Sequence, residues 1–204
     1  MKITGLLAKR MSDLSNQNGY FTGQLLVAMP NLWDPRFTRS VIYMCVHNEE
    51  GAMGLVLNRL IGAISFPDLL RELELGEELI DCDPLPSIHF GGPVEEGRGF
   101  VLHSSEYLRP ESLALTGGLA LTATIEVLRD IADGVGPKKK ILALGYAGWG
   151  AGQLDMELQE NSWLSVPYDP ELVFSDDLDQ MWDKALAKIG IDASMLLSTE
   201  AGRA

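Results

Sequence analysis

Apolar positions along this chain fall into short runs broken by glycine, proline and acidic residues. Gly23–Met29 (GQLLVAM) is one such run, and Pro30 stops it, so it predicts a buried strand. NLWDPRFTRS follows as a loop with Asp34-Pro35 as its turn signal. Ser40–His47 (SVIYMCVH) is rich in β-branched and aromatic residues, Asn48–Gly51 is a turn, and Ala52–Asn58 (AMGLVLN) returns. These two runs predict a hairpin. Neither alternates apolar with polar, which predicts cover on both faces. Ile88–Phe90 runs into Gly91-Gly92-Pro93, and further strands are predicted at Gly99–His103, Ile141–Leu144 and Trp163–Val166. Leu113–Leu115 and Leu119–Leu121 form a second hairpin around Gly117-Gly118.

Helical spacing appears four times. In Ser65–Leu75, Ser65 is placed to cap, Pro67 suits an early helical position, Leu69, Leu70 and Leu73 share a face, and Gly76 marks the stop. Thr122–Asp133 carries Ile125, Leu128 and Ile131 on one stripe and ends at Gly134. Gln153–Glu160 is the third helix. Ser175–Lys188 is the fourth, with Leu178, Met181, Trp182, Ala185 and Ile189 on its apolar face. Hairpins mixed with helices predict an α+β fold: a single compact domain with a mostly antiparallel sheet and several packed helices. Residues 1–19 are rich in Ser, Asn and Gln and lack periodicity, so a flexible leader is expected before a domain spanning 20–204. Met11 competes with Met1 as the native start. Glu77–Ser87 reads as an acidic loop, and the last dozen residues are expected to fray.

Composition narrows the function classes. With 46% hydrophobic residues, a chain of 204 residues can bury a sizeable core. Sixteen basic against 29 acidic residues give a net charge of −13, which opposes contact with DNA phosphates or an anionic membrane. No apolar run reaches the ~18 residues of a spanning helix. Ile3–Ala8 is short for a secretory signal and lacks a small-residue cleavage site, so a cytoplasmic location is expected. The two cysteines, Cys45 and Cys82, form neither a disulfide scaffold nor a Cys-x-x-Cys pair.

Several groups of residues bear on chemistry. LGYAGWGAGQL, with Gly145, Gly148, Gly150 and Gly152, lies between a strand and a helix. It can be a phosphate cradle or a tight, closely packed turn; its spacing matches no phosphate-loop motif, and Asp155 and Glu157 oppose an anion. His47, His89, His103, Cys45 and Cys82 are the soft ligands, but no metal motif joins them, so no metal or cofactor is expected. His103-Ser104-Ser105 lacks a nucleophile-elbow pattern. Arg39, Asn58, Arg59, Arg98 and His103 are the candidate ligand-binding residues. Together with Asp34 and Arg36, their charges are either internal ties that fix loops on the sheet or the wall of an anion pocket. Lys138-Lys139-Lys140 is a basic run too short for a nucleic-acid tract and reads as a solvated loop.

Three long blocks are more specific. GQLLVAMPNLWDPRFTRSVIYMCVHNEEGAMGLVLNR, FGGPVEEGRGFVLHS and LGYAGWGAGQLDMELQENSWL together resemble the signature blocks of the AlgH/YqgE family of bacterial proteins, in the same order, from Tyr20 onward. The resemblance implies a small, cytosolic, single-domain α+β protein from a largely uncharacterised family, some of whose members carry the label of transcriptional regulator. It supplies no catalytic residues. The regulator label fits a protein-partner or ligand mechanism better than direct DNA contact, because the charge is wrong and no helix-turn-helix is evident. A non-enzymatic protein that binds a partner or small ligand is therefore the leading expectation. A small-molecule enzyme or sensor with an arginine- and histidine-lined pocket is the alternative, and direct DNA binding a distant third.

Overall fold

The computed structural model describes residues 20–75, 82 and 84–196. The leader, the start at Met11, the stop at Gly76 and much of the acidic loop lie outside the described residues, as do residues 197–204. Among the described residues, the elements run β1 (Leu25–Ala28), β2 (Val41–Asn48), β3 (Gly51–Val56), α1 (Phe66–Glu72), β4 (Ile88–Phe90), β5 (Val94–Ser104), β6 (Leu113–Ala114) and β7 (Leu119–Thr122). They continue with α2 (Ile125–Ala132), β8 (Lys140–Gly150), α3 (Gln153–Gln159), β9 (Trp163–Val166), α4 (Pro170–Val173) and α5 (Met181–Lys188).

Eight strands follow one another in the order β6-β7-β5-β8-β3-β2-β1-β9, all antiparallel, and curl into a half-barrel. The ninth, β4, lies parallel to β8, with His89 opposite Ala143. The fold is thus α+β and mostly antiparallel, as the alternation of hairpins and helices predicts. β8 joins two parts of the sheet. Its first residues pair with β4 and β5, and Ala147–Gly150 pair with β3.

The central strands are covered on both faces, as their continuous apolar runs require. Leu25, Val27, Val41, Tyr43, Leu55 and Leu57 point to one core, while Leu26, Ala28, Ile42, Met44 and Val56 point to a second. The period of two along a strand sorts each run between the two faces. The first core is closed by α4 and α5 through Leu172, Val173, Met181, Trp182 and Leu186. Trp182 also donates its indole N–H to Ala28 O at 2.8 Å. The second is closed by Leu154 of α3 with Trp149 and Trp163. A third cluster packs α1 and α2 on Ile88, Val101 and Leu142.

Local chemistry sets the helix starts. Ser65 Oγ accepts from Asp68 N while the Asp68 carboxylate accepts from Ser65 N, a reciprocal capping box ahead of α1. Leu73, expected on the buried face of that helix, is 37% exposed just beyond its end. Two other helices begin later than their periodicity suggests. Thr122 is the last residue of β7, opposite Val101, so α2 begins at Ile125. Val127 then takes the buried place expected of Ile125, which is exposed. α5 begins only at Met181, because Ser175 and Asp177 side chains accept from the backbone N–H groups of Asp177 and Gln180 and hold the preceding segment in turns.

The glycine-rich segment departs most from its reading. It is not a turn after a short strand: β8 continues through it to Gly150. Gly145, at φ +71, is where the strand exchanges one set of partners for the other. A β-carbon there would lie 2.3 Å from Gly92 O, and one on Gly91 would lie 2.2 Å from Gly145 O. Close backbone packing is therefore the part of the reading that holds. The phosphate-cradle alternative loses its donors, since Gly150 N donates to Gln153 Oε1 and Ala147–Gly150 pair with β3.

Candidate functional site: a cleft beside β4

The five residues singled out in the sequence do not meet in one pocket. Three gather around the Thr38–Arg39 backbone. Asn58 Oδ1 accepts from Val41 N at 2.8 Å and its Nδ2 donates to Arg39 O at 2.9 Å, tying the β1–β2 loop to the end of β3. Arg59 donates to Thr38 O at 2.9 Å. Arg39 adopts φ +54, pairs with Asp183 at 2.9 Å and lies over the Trp182 ring. Arg36 is held in the same way by Asp34. Arg98 is separate: it pairs with Glu95 at 2.9 Å and covers Phe100.

His103 is fully buried within a relay of hydrogen bonds. Its Nδ1 faces Ser104 O at 3.0 Å, and a carbonyl can only accept, so Nδ1 carries the proton. Nε2 then accepts from Thr122 Oγ1 at 2.8 Å, Thr122 accepts from Ser112, and Ser112 accepts from Arg109 N. Every polar atom of the relay is satisfied. The Ser104 hydroxyl is directed to Glu106 and Lys139 O, so it forms no couple with the His103 ring. Among the described residues no group of three or more His, Cys, Asp or Glu is placed to hold a metal ion. Cys45 is a buried thiol whose pKa burial pushes up to about 12, the behaviour of an inert core residue.

A cleft of about 720 Å³ lies between β4, the segment joining α2 to β8, and α4 with the residues after it. That volume lies within the range of small-molecule sites. Leu60, Phe174 and Leu178 supply apolar wall, and His89, Lys138, Lys139 and Lys140 line it as well. Among the described residues none of the three ammonium groups is in an ion pair: Lys139 Nζ lies 5.7 Å from the Phe174 ring centre and Lys140 Nζ donates to Pro137 O. Glu171 and Asp176 are the carboxylates of the wall, and Glu106 accepts from Lys138 N at 2.8 Å. The three lysines gather cationic groups on one wall of the cleft, on a chain of net charge −13. Two of the predicted residues adjoin it: His103 pairs with Lys140 across β5 and β8, and Arg59 precedes Leu60. With Arg36 and Phe90, Arg59 lines a shallower depression of about 380 Å³ that shares Leu60 with the cleft.

His89 differs from the other two histidines. His47 Nδ1 accepts from Phe21 N at 3.1 Å and its Nε2 stands 3.6 Å from Asp155, while both ring nitrogens of His103 are bonded. His89 Nδ1 donates to Leu57 O at 2.6 Å. Its Nε2 makes no hydrogen bond among the described residues, and the residue is only 8% exposed. His89 is thus a largely buried imidazole in the wall of the cleft with one ring nitrogen not engaged by a described protein group.

Comparison with known proteins places this architecture. The AlgH-like family matches residues 25–194. The UPF0301 protein of Beijerinckia indica subsp. indica is 52% identical over 95% of this chain and 97% of its own length. This chain belongs to the AlgH-like family. A UPF0301 protein of Rhodospirillum rubrum is likewise 52% identical, over 94% of this chain and 98% of that one. The solution structure of the AlgH protein from Pseudomonas aeruginosa is 40% identical, with a TM-score of 0.75, and covers 90% of this chain and 97% of its own. A crystal structure from Corynebacterium diphtheriae is 20% identical over 92% of this chain and 96% of its own, with a TM-score of 0.67, and shares the fold. No described helix of this AlgH-like chain is long and apolar enough to cross a membrane.

The site of this AlgH-like chain was only partly visible in its sequence. The lysine run read as a solvated loop, and His89 as one of several soft ligands. Leu60, His89, Lys138–Lys140 and Phe174 come from four separated segments, and no spacing rule unites them.

The histidines also set the acid response of the AlgH-like fold. Burial holds the pKa of His47, His89 and His103 below the ordinary 6.5. The unfolded chain takes up these protons near pH 6.5 and the folded chain only below it, so stability is fully present above 6.5 and is lost as pH falls toward the folded pKa values. Each histidine contributes a slope of up to about 1.4 kcal/mol per pH unit in that window. Thermal melts at constant ionic strength are expected to show Tm falling from pH 7.5 to 5.5. A flat Tm over that range contradicts this account.

Proposed function

We propose that this chain is a non-enzymatic small-ligand-binding protein and that the cleft beside β4 takes an anionic metabolite. The observation that carries the reading is His89, a residue only 8% exposed whose Nε2 makes no hydrogen bond among the described residues, in the wall of a cleft that three lysines also line. A neutral imidazole nitrogen that no protein group engages is an acceptor left free for a ligand's donor. The regulatory role that the family resemblance implies follows naturally if ligand occupancy changes the surface around α4.

Thermal unfolding with a panel of nucleotides, sugar phosphates, carboxylates and sugars tests this. A ligand at about 100 times its Kd stabilises the native state by about 2.7 kcal/mol, which is roughly 5–11 °C for a chain of this size. The shift is expected from anionic members, and it is expected to shrink in the K138A/K139A double variant, whose side chains are exposed and carry little of the fold. No shift from any anion, or one unchanged by the double variant, overturns the proposal.

A further inference from the structure

Resting on that reading, we infer that the ligand is two-ended: it presents a hydrogen-bond donor to His89 Nε2 and an anionic group to Lys138–Lys140, as a hydroxylated phosphate or carboxylate does. The Leu57 carbonyl, at 2.6 Å, fixes the His89 proton on Nδ1. Nε2 of that tautomer is an acceptor only. A fully ionised phosphate or carboxylate oxygen is also only an acceptor, so such an anion seated on His89 would set lone pair against lone pair. The group that satisfies Nε2 must bring its own O–H or N–H.

The anion belongs at the other end. His89 stands opposite Ala143 in the parallel β4–β8 pair, three residues beyond Lys140 on β8. At about 3.3 Å per residue the two ends of the site are separated by roughly 10 Å along the strand, and the Lys140 ammonium is bonded back to Pro137 O. That separation is the length of a sugar phosphate or a sugar acid rather than of a free inorganic ion. Leu60, Phe174 and Leu178 line the space between with apolar surface. A polyhydroxylated anion of this length matches donor, spacer and charge in one molecule.

The test uses matched probes on the full-length protein: glucose 6-phosphate against hexyl phosphate, gluconate against hexanoate, and neutral glucose. Binding is read by titration, and the ring nitrogens of His89 by 15N NMR of the wild-type protein, so the result does not depend on a variant that could misfold. The hydroxylated member of at least one pair is expected to bind about tenfold or more tightly than its alkyl partner, with movement of the His89 Nε2 resonance and little response to glucose. Equal affinity within both pairs, with Nε2 unmoved, overturns the two-ended ligand while leaving an anion cleft in place. Failure of all four anions to bind overturns both readings. Tight binding of glucose without a charge requirement also overturns the inference, since the lysines would then contribute nothing.

Discussion

Gly145→Ala is expected to be among the most damaging single-methyl additions in this chain. Two independent costs coincide there. The residue sits at φ +71, where a β-carbon strains the backbone by roughly 1–2 kcal/mol. That β-carbon would also lie 2.3 Å from Gly92 O and 3.1 Å from Val94 O, both backbone atoms that no rotamer change can move. Overpacking of this kind costs roughly 1–3 kcal/mol more. The sum, about 2–5 kcal/mol, is a large fraction of the 5–15 kcal/mol that holds a typical domain together. Gly152→Ala is the internal control: φ is +70, but the added carbon meets nothing within 4 Å, so only the strain remains. Urea unfolding of the two variants is expected to place Gly145→Ala lower in stability by at least about 1–2 kcal/mol. Equal midpoints would show that the crossing of β8 past the Gly91-Gly92 segment is looser than its geometry implies.

The same crossing explains what the sequence concealed. Gly145, Gly148 and Gly150 carry the signal of a turn, yet only at Gly145 does the strand pass so close to another backbone that a β-carbon is excluded. Strand and turn therefore look alike at that point. By contrast, β1, β2 and β3 are legible because their apolar runs have no other use: each residue has one of two cores to enter. Val94–Arg98 of β5 was hidden for a third reason. Its residues are polar and half exposed, Glu95 turns through φ +49, and pairing with β8 slips between Val94 and Gly99. Only backbone hydrogen bonds mark it as strand, and these leave no trace in composition.

The site was less legible than the fold. Charged residues set in apolar surroundings drew attention to Arg39, Asn58, Arg59, Arg98 and His103, and the structure ties each of the first four to a loop carbonyl or a neighbouring carboxylate. His103 and His89 are indistinguishable by spacing. They differ in their surroundings: His103 Nε2 meets Thr122, whereas His89 Nε2 makes no hydrogen bond among the described residues. An unpaired atom is a three-dimensional property, and one sequence does not encode it locally.

Glu157→Ala is the second large effect, and it tests what α3 is for. Glu157 Oε2 accepts both Trp149 Nε1, at 2.9 Å, and Trp163 Nε1, at 2.7 Å, while Oε1 accepts from Gln153 at 2.8 Å. The two indoles meet edge to face with ring centres 5.7 Å apart, and Phe37 packs on Trp163 in the same way. One carboxylate thus fixes the aromatic floor of the second core. An indole N–H can only donate, so removing the carboxylate leaves two donors in largely buried rings without a partner. At about 1–3 kcal/mol for each stranded group, the loss is roughly 2–6 kcal/mol, and Tm falls by about 4–24 °C. Glu157→Gln keeps one oxygen with two lone pairs facing the indoles and is expected to lose less than half as much. The near-ultraviolet circular dichroism of the tryptophans should weaken in the alanine variant before global unfolding. If the alanine variant melts within about 2 °C of the parent, the indoles find other acceptors, and α3 is held by Leu154 and its apolar neighbours alone.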